Sequence, residues 1–168
     1  MGCTVSALDL YVHELVAQLM LEIFDGTRAA TPAYLKFQVS AETLSRVLAA
    51  STQSDASAAF DLYVRTHLSR ITFQAPDDIA DGVRLCSSVE LWNEVALRLG
   101  VPSASKVSAS KALRTQLSLI VERRNRIAHE GDLQQSPLRE PWPINRADLV
   151  LVKGYIEQIV RTIDAVVV

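Results

Sequence analysis

Val5-Ser6-Ala7-Leu8-Asp9-Leu10-Tyr11-Val12-His13-Glu14-Leu15-Val16-Ala17-Gln18-Leu19-Met20-Leu21-Glu22-Ile23-Phe24-Asp25 carries Leu8, Val12, Leu15, Val16, Leu19 and Ile23 at steps of three and four. Such steps lay an apolar stripe along one side of a helix, whereas a half-buried strand repeats every second residue. Asp25-Gly26 ends the helix, because glycine tolerates the left-handed backbone common just past a helix end.

The same pattern extends downstream. Thr27 to Ser40 is less regular, with Thr31-Pro32 a break. Ser40-x-x-Thr43 opens a shorter helix to about Ala50, with only half of a capping box, since Thr43 stands where Glu or Gln belongs. Ser51-Thr52-Gln53-Ser54-Asp55 is a polar linker holding good N-cap residues. The helix after it is expected to run to about Phe73, with Phe60, Tyr63, Val64, His67, Leu68 and Ile71 on one side. Gln74-Ala75-Pro76-Asp77-Asp78 reads as a second break, and Ser87-Ser88 as the cap of a helix to Leu99, stopped by Gly100 and Pro102. A serine-rich bridge leads into a long helix from about Ser105 to His129. Gly131, Pro137, Pro141 and Pro143 impose a loop, and Asn145 starts a last helix. No internal repeat interrupts this series. The expected fold is all-α, a bundle of about five to seven helices forming one domain over residues 1–168.

Composition narrows the function. A chain of 168 residues buries roughly two-thirds of its unfolded surface, enough for a real core. Its formal net charge of −2 advertises no polyanion, so nucleic-acid binding requires a local patch. Cys3 and Cys86 are isolated and read as thiols in a reducing compartment. The N-terminus lacks the basic region of a signal peptide, and no uncharged apolar stretch approaches the ~18 residues of a membrane helix. A cytoplasmic protein without membrane association is expected.

The long helix before the proline-rich loop carries the chemistry. Leu113, Leu117 and Ile120 form a core-facing row with Val121 beside it, and the next places on that row are Arg124, Ile127 and Ala128. A guanidinium on an apolar row needs partners, so this end either faces a cleft or second subunit, or Arg124 snorkels over the core edge. From Ser103 to His129 there are six basic residues, Lys106, Lys111, Arg114, Arg123, Arg124 and Arg126, against one acid, Glu122. Basic residues near a helix C-terminus also simply complement the macrodipole. His129 makes the pattern more specific, because Asn125 lies four residues before it, in position to bond the imidazole and set its tautomer.

Arg124-Asn125-x-x-x-His129 matches the Arg-x(4–6)-His motif of HEPN domains, including the polar residue after the arginine. The blocks Leu8-Asp9-Leu10-Tyr11-Val12-His13-Glu14-Leu15 and Arg123-Arg124-Asn125-Arg126-Ile127-Ala128-His129-Glu130 resemble the RiboL-PSP-HEPN branch, as does Trp142-Pro143-Ile144-Asn145-Arg146-Ala147-Asp148. The resemblance implies a HEPN-like helical bundle, commonly a homodimer whose two motifs meet in a cleft. It implies a metal-independent endoribonuclease with no cofactor, acting as a toxin or in phage defence, and an antitoxin or regulatory partner that restrains it. Other members of the superfamily have lost catalysis and bind RNA, a nucleotide or a protein. Arg124, Asn125 and His129 are the expected catalytic residues, and Arg123, Arg126, His13 and Glu14 the expected substrate-binding ones.

The residue types suit that chemistry. RNA carries its own nucleophile, the 2′-hydroxyl, so the enzyme need only move protons and stabilise a phosphorane; histidine suits the first task and arginine the second. Around the motif no carboxylates or Cys/His stand at metal-ligand spacing; Glu130 and Asp132 are the only nearby acids. Five residues at about 100° each place Arg124 and His129 roughly 140° apart on an ideal helix. Either the helix ends near Ala128, or Arg124 of one subunit works with His129 of the other. His13 lies just beside the apolar stripe and either lines the cleft or bonds a neighbouring helix; Asp9 shares its helix face and is placed to orient it. His67 reads as a core or edge histidine, and Trp92 and Trp142 as packing anchors. No P-loop, dinucleotide fingerprint, nucleophile elbow or zinc spacing occurs.

Overall fold

The computed structural model describes residues 2–130 and 146–168, with His129 and Glu130 described as helical backbone only. Seven α-helices occur among the described residues, with no strand: α1 (Gly2–Phe24), α2 (Ala41–Leu48), α3 (Gln53–Leu68), α4 (Pro76–Arg84), α5 (Leu91–Arg98), α6 (Lys106–Glu130) and α7 (Arg146–Val167). Short 3-10 turns, Tyr34–Lys36 and Ser103–Ser105, precede α2 and α6. The all-α expectation holds, at the upper end of the expected helix number. No helix among the described residues is long and apolar enough to cross a membrane.

The opening stretch is the axis of the fold. Val5, Leu8, Val12, Leu15, Val16, Leu19, Met20 and Ile23 of α1 are all buried, and α3, α4, α6 and α7 pack around that helix. α5 packs against both α6 and α7, and α2 lies on α3. The breakers act as their chemistry dictates. Gly26 takes φ +77° and donates to the Ile23 carbonyl at 3.1 Å, while Thr27 N–H reaches Glu22 at 2.9 Å, so two orphan carbonyls of α1 are satisfied. Gly100, at φ +86°, closes α5 in the same way through Leu97 and Ala96. Ser40 Oγ accepts the Thr43 N–H at 3.2 Å, the half of the capping box that Thr43 leaves possible.

Three boundaries differ from the sequence reading. α3 ends at Leu68, not near Phe73, because α1 takes over the backbone groups that a longer helix would use. Asp9 Oδ1 accepts the Phe73 N–H at 2.5 Å, and His13 Nε2 lies 3.1 and 3.2 Å from the carbonyl oxygens of Leu68 and Ile71. Residues 74–78, read as a break, instead contain the start of α4. Pro76 occupies the first turn, where its missing N–H costs nothing, and Asp77 and Asp78 complement the dipole. Ser87 does not cap α5; its N–H bonds Val83 at 2.8 Å and finishes α4, while α5 begins at Leu91 without a side-chain cap.

Candidate active site on α6

α6 runs unbroken from Lys106 through residue 130. Leu117, Ile120 and Val121 are buried and Leu113 is packed against the core, as their spacing requires. Beyond Val121 the bundle stops covering the helix: no residue from Glu122 to Ala128 is buried. Arg124 therefore continues the core-facing row past the end of the core. It is half-buried, and its Nη1 donates to Asn125 Oδ1 at 2.9 Å. No carboxylate pairs with it among the described residues. Arg123 is half-buried and Arg126 exposed on the same three turns.

The helix is described through residue 130, two residues past Ala128. The backbone positions of Arg124 and His129 stand roughly 140° apart around this helix, as on the ideal one. The expected bond between Asn125 and the His129 ring lies outside the described residues, as does Trp142. Asn125 has the partner that sequence reasoning did not assign: it bonds the arginine before it.

The start of α7 is equally uncovered. No residue from Arg146 to Tyr155 is buried, and Val150 and Leu151 are 62% and 72% exposed. Tyr155 links α7 to α6 by donating its O–H to the Leu113 carbonyl at 2.7 Å, and burial pushes its phenol up to about 12.

His13 and Glu14, expected at the substrate, have other partners within the chain. His13 Nδ1 lies 2.8 Å from the Asp9 carbonyl oxygen, its Nε2 faces the two α3-end carbonyls, and its ring meets Phe73 edge-on at 4.6 Å. Asp9 supports that arrangement through its backbone and through its carboxylate, whose Oδ1 lies 3.6 Å from His13 Nδ1 while the two oxygens bond Phe73 and Gln74. Glu14 receives Arg65 Nη1 on both oxygens, at 2.7 and 2.8 Å. The cleft beside them, about 410 Å³, receives no residue from α6. These residues join α1 to α3 and, among the described residues, are not gathered with the α6 motif. His67 is an edge histidine, 5.0 Å from Phe37, and Trp92 is a buried anchor whose N–H donates to the Pro76 carbonyl at 2.8 Å. Cys3 is exposed; Cys86 is buried, and desolvation pushes its thiol up to about 12, so it is a packing residue and not a nucleophile. Among the described residues no three His, Cys, Asp or Glu side chains gather as metal ligands.

One feature was not foreseen. A groove of about 1030 Å³ runs between α4, the start of α5 and the side of α6 that bears Lys111, Thr115, Ser118 and Glu122. Those residues step by four, three and four, and the next steps are Asn125 and His129. That alternation, on the side of α6 away from the core row, was the available signal.

Searches of family models, of curated proteins and of solved structures find no match to this chain.

Proposed function

We propose that this chain is a HEPN-like, metal-independent endoribonuclease that works as a homodimer. The observation that carries the reading is Arg124: a guanidinium on the core-facing row, past the end of the core, with an amide and not a carboxylate as its described partner. An arginine neutralised by an acid would be a structural ion pair. Among the described residues Arg124 keeps N–H donors for a phosphate, and Asn125 holds the plane of the guanidinium. Arg123 and Arg126 supply the surrounding positive charge, and toxin or phage-defence roles, with a restraining partner, fit such an activity.

The continuous helix supports catalysis across two subunits. A two-fold axis beside the uncovered ends of α6 and α7 lets Arg124 of one subunit face a phosphate bound next to a second copy's motif. It would also cover the apolar surface of Val150 and Leu151. In the reaction the substrate's 2′-oxygen attacks phosphorus and loses its proton to a base. The bond to the 5′-oxygen breaks, and that oxygen takes up a proton. His129 serves one of these transfers and its symmetry mate the other, while Arg124 pairs with the phosphoryl oxygens as charge accumulates.

Products should carry a 2′,3′-cyclic phosphate and a 5′-hydroxyl, and cleavage should survive EDTA. The deciding substrate is an RNA oligonucleotide with one 2′-deoxy sugar at the mapped cleavage site, which should remain intact. If it is cut normally, or if EDTA stops cleavage and Mg²⁺ restores it, the mechanism is wrong. RNA bound tightly but never cut would instead mark a non-catalytic binding module.

A further inference from the structure

The groove along α6 and the Asn125 and His129 positions of the motif lie on one side of the same helix, with Arg124 about 140° away on the core-facing row. At about 100° per residue, Lys111 and His129 have the same angular position, and Ser118, Glu122 and Asn125 fall within about 40° of it. The groove's α6 wall, from Val107 to Glu122, is about 22 Å long at 1.5 Å per residue, and its last residue lies two turns before His129. Resting on the ribonuclease reading, we infer that this groove carries the single-stranded RNA on one flank of the scissile phosphate.

The charges in the groove define how it binds. Arg114 is paired with Asp77 across it, and Arg84 with Asp81. Glu90 and Glu122 are the remaining acids of the lining. Lys111 is the lining cation that forms no ion pair among the described residues, and it stands at the angular position of His129 on the helix. The groove is therefore no broad polyanion funnel; it offers one ammonium, with the hydroxyls of Thr115 and Ser118, along a line leading to the motif. Such groups meet phosphates and sugars. Its one aromatic lining residue, Trp92, is buried and has given its N–H to Pro76, so no base-stacking platform is present. The flank is held with little preference for base identity, and the strand must be unpaired to lie along a single helix face.

Lys111 and Thr115 are exposed, so Lys111→Glu and the double variant with Thr115→Glu should fold, which an unchanged thermal midpoint checks. Two readouts separate this inference from the activity itself. Fluorescence anisotropy follows binding of an unstructured 12-nucleotide RNA made uncleavable by 2′-O-methyl sugars. Cleavage is followed on the all-RNA 12-mer and on a trinucleotide spanning the same site. The double variant should bind the 12-mer about tenfold or more weakly, and Lys111→Glu should lower the salt slope by about one. Its kcat/KM should fall on the 12-mer and stay within about twofold on the trinucleotide. If the wild type cuts RNA and the variants bind and cut the 12-mer like the wild type, the groove does not carry RNA, though the activity stands. An equal loss on both substrates also overturns the groove, by placing the effect at the motif. If nothing is cut but the variants still lose affinity, the groove stands and the ribonuclease reading falls. If the wild type neither binds nor cuts, both fall.

Discussion

Arg124 and Asn125 act as one unit. The amide oxygen takes one guanidinium N–H and so fixes the plane in which the remaining donors point. His129→Ala should abolish cleavage while RNA still binds, since histidine moves protons and contributes little to the ground-state complex. Arg124→Ala should weaken binding and lower the rate on the order of 10²–10³, the usual loss for a charge-assisted contact made in the transition state. Arg124→Lys should not restore it, because an ammonium cannot reproduce the planar fork. Asn125→Ala should be milder, as it only positions. Single-turnover kinetics beside binding isotherms would check these roles; Asn125→Ala as damaging as His129→Ala, with oligomeric state unchanged, would overturn them. The arginine was legible in the sequence because a charge on an apolar row is conspicuous. Its hydrogen bond was not, because Asn125 can reach forward along the helix as well as back.

Among the elements, long helices with one continuous buried face were easiest to read: α1, α6 and α7 fall within a few residues of their expected limits. The errors lie where a distant group decides. The sequence around residues 69–75 has the apolar steps to prolong α3, but Asp9 and His13, some sixty positions earlier, capture its backbone groups. Pro76 was ambiguous because proline both ends helices and begins them. This loop also packs tightly, for a Cβ built on Gly82 would sit 2.5 Å from Phe73 Cε1. Removing the Asp9 carboxylate would strand the Phe73 amide, at a cost of about 1–3 kcal/mol. Asp9→Ala should therefore lower the thermal midpoint clearly and Asp9→Asn, which keeps an acceptor oxygen, by less. Unfolding curves for the two variants superimposing on the wild type would show that Asp9 does not hold the loop.

At the scale of the whole molecule, a core centred on α1 leaves one end of α6 and the start of α7 outside it. Charged substitutions at such exposed positions usually change monomer stability by less than about 0.5 kcal/mol. Val150→Glu with Leu151→Lys should thus leave the fold intact and separate the subunits, with RNA cleavage lost in parallel. Light scattering at tens of micromolar, roughly where a stable dimer persists, should give a dimer for the wild type and a monomer for the double variant. A monomeric wild type at that concentration would sink the two-subunit arrangement. The unbroken course of α6 has a further consequence, one of phase. The helix is a shaft with its core row and its motif keyed at fixed angles. One residue inserted between Val121 and Arg124 would swing the motif by about 100° without disturbing the core before it. Seven residues would lengthen the shaft by about 10 Å yet return the motif to within about 20° of its setting. In that interval the protein can change its residues far more freely than it can change their number.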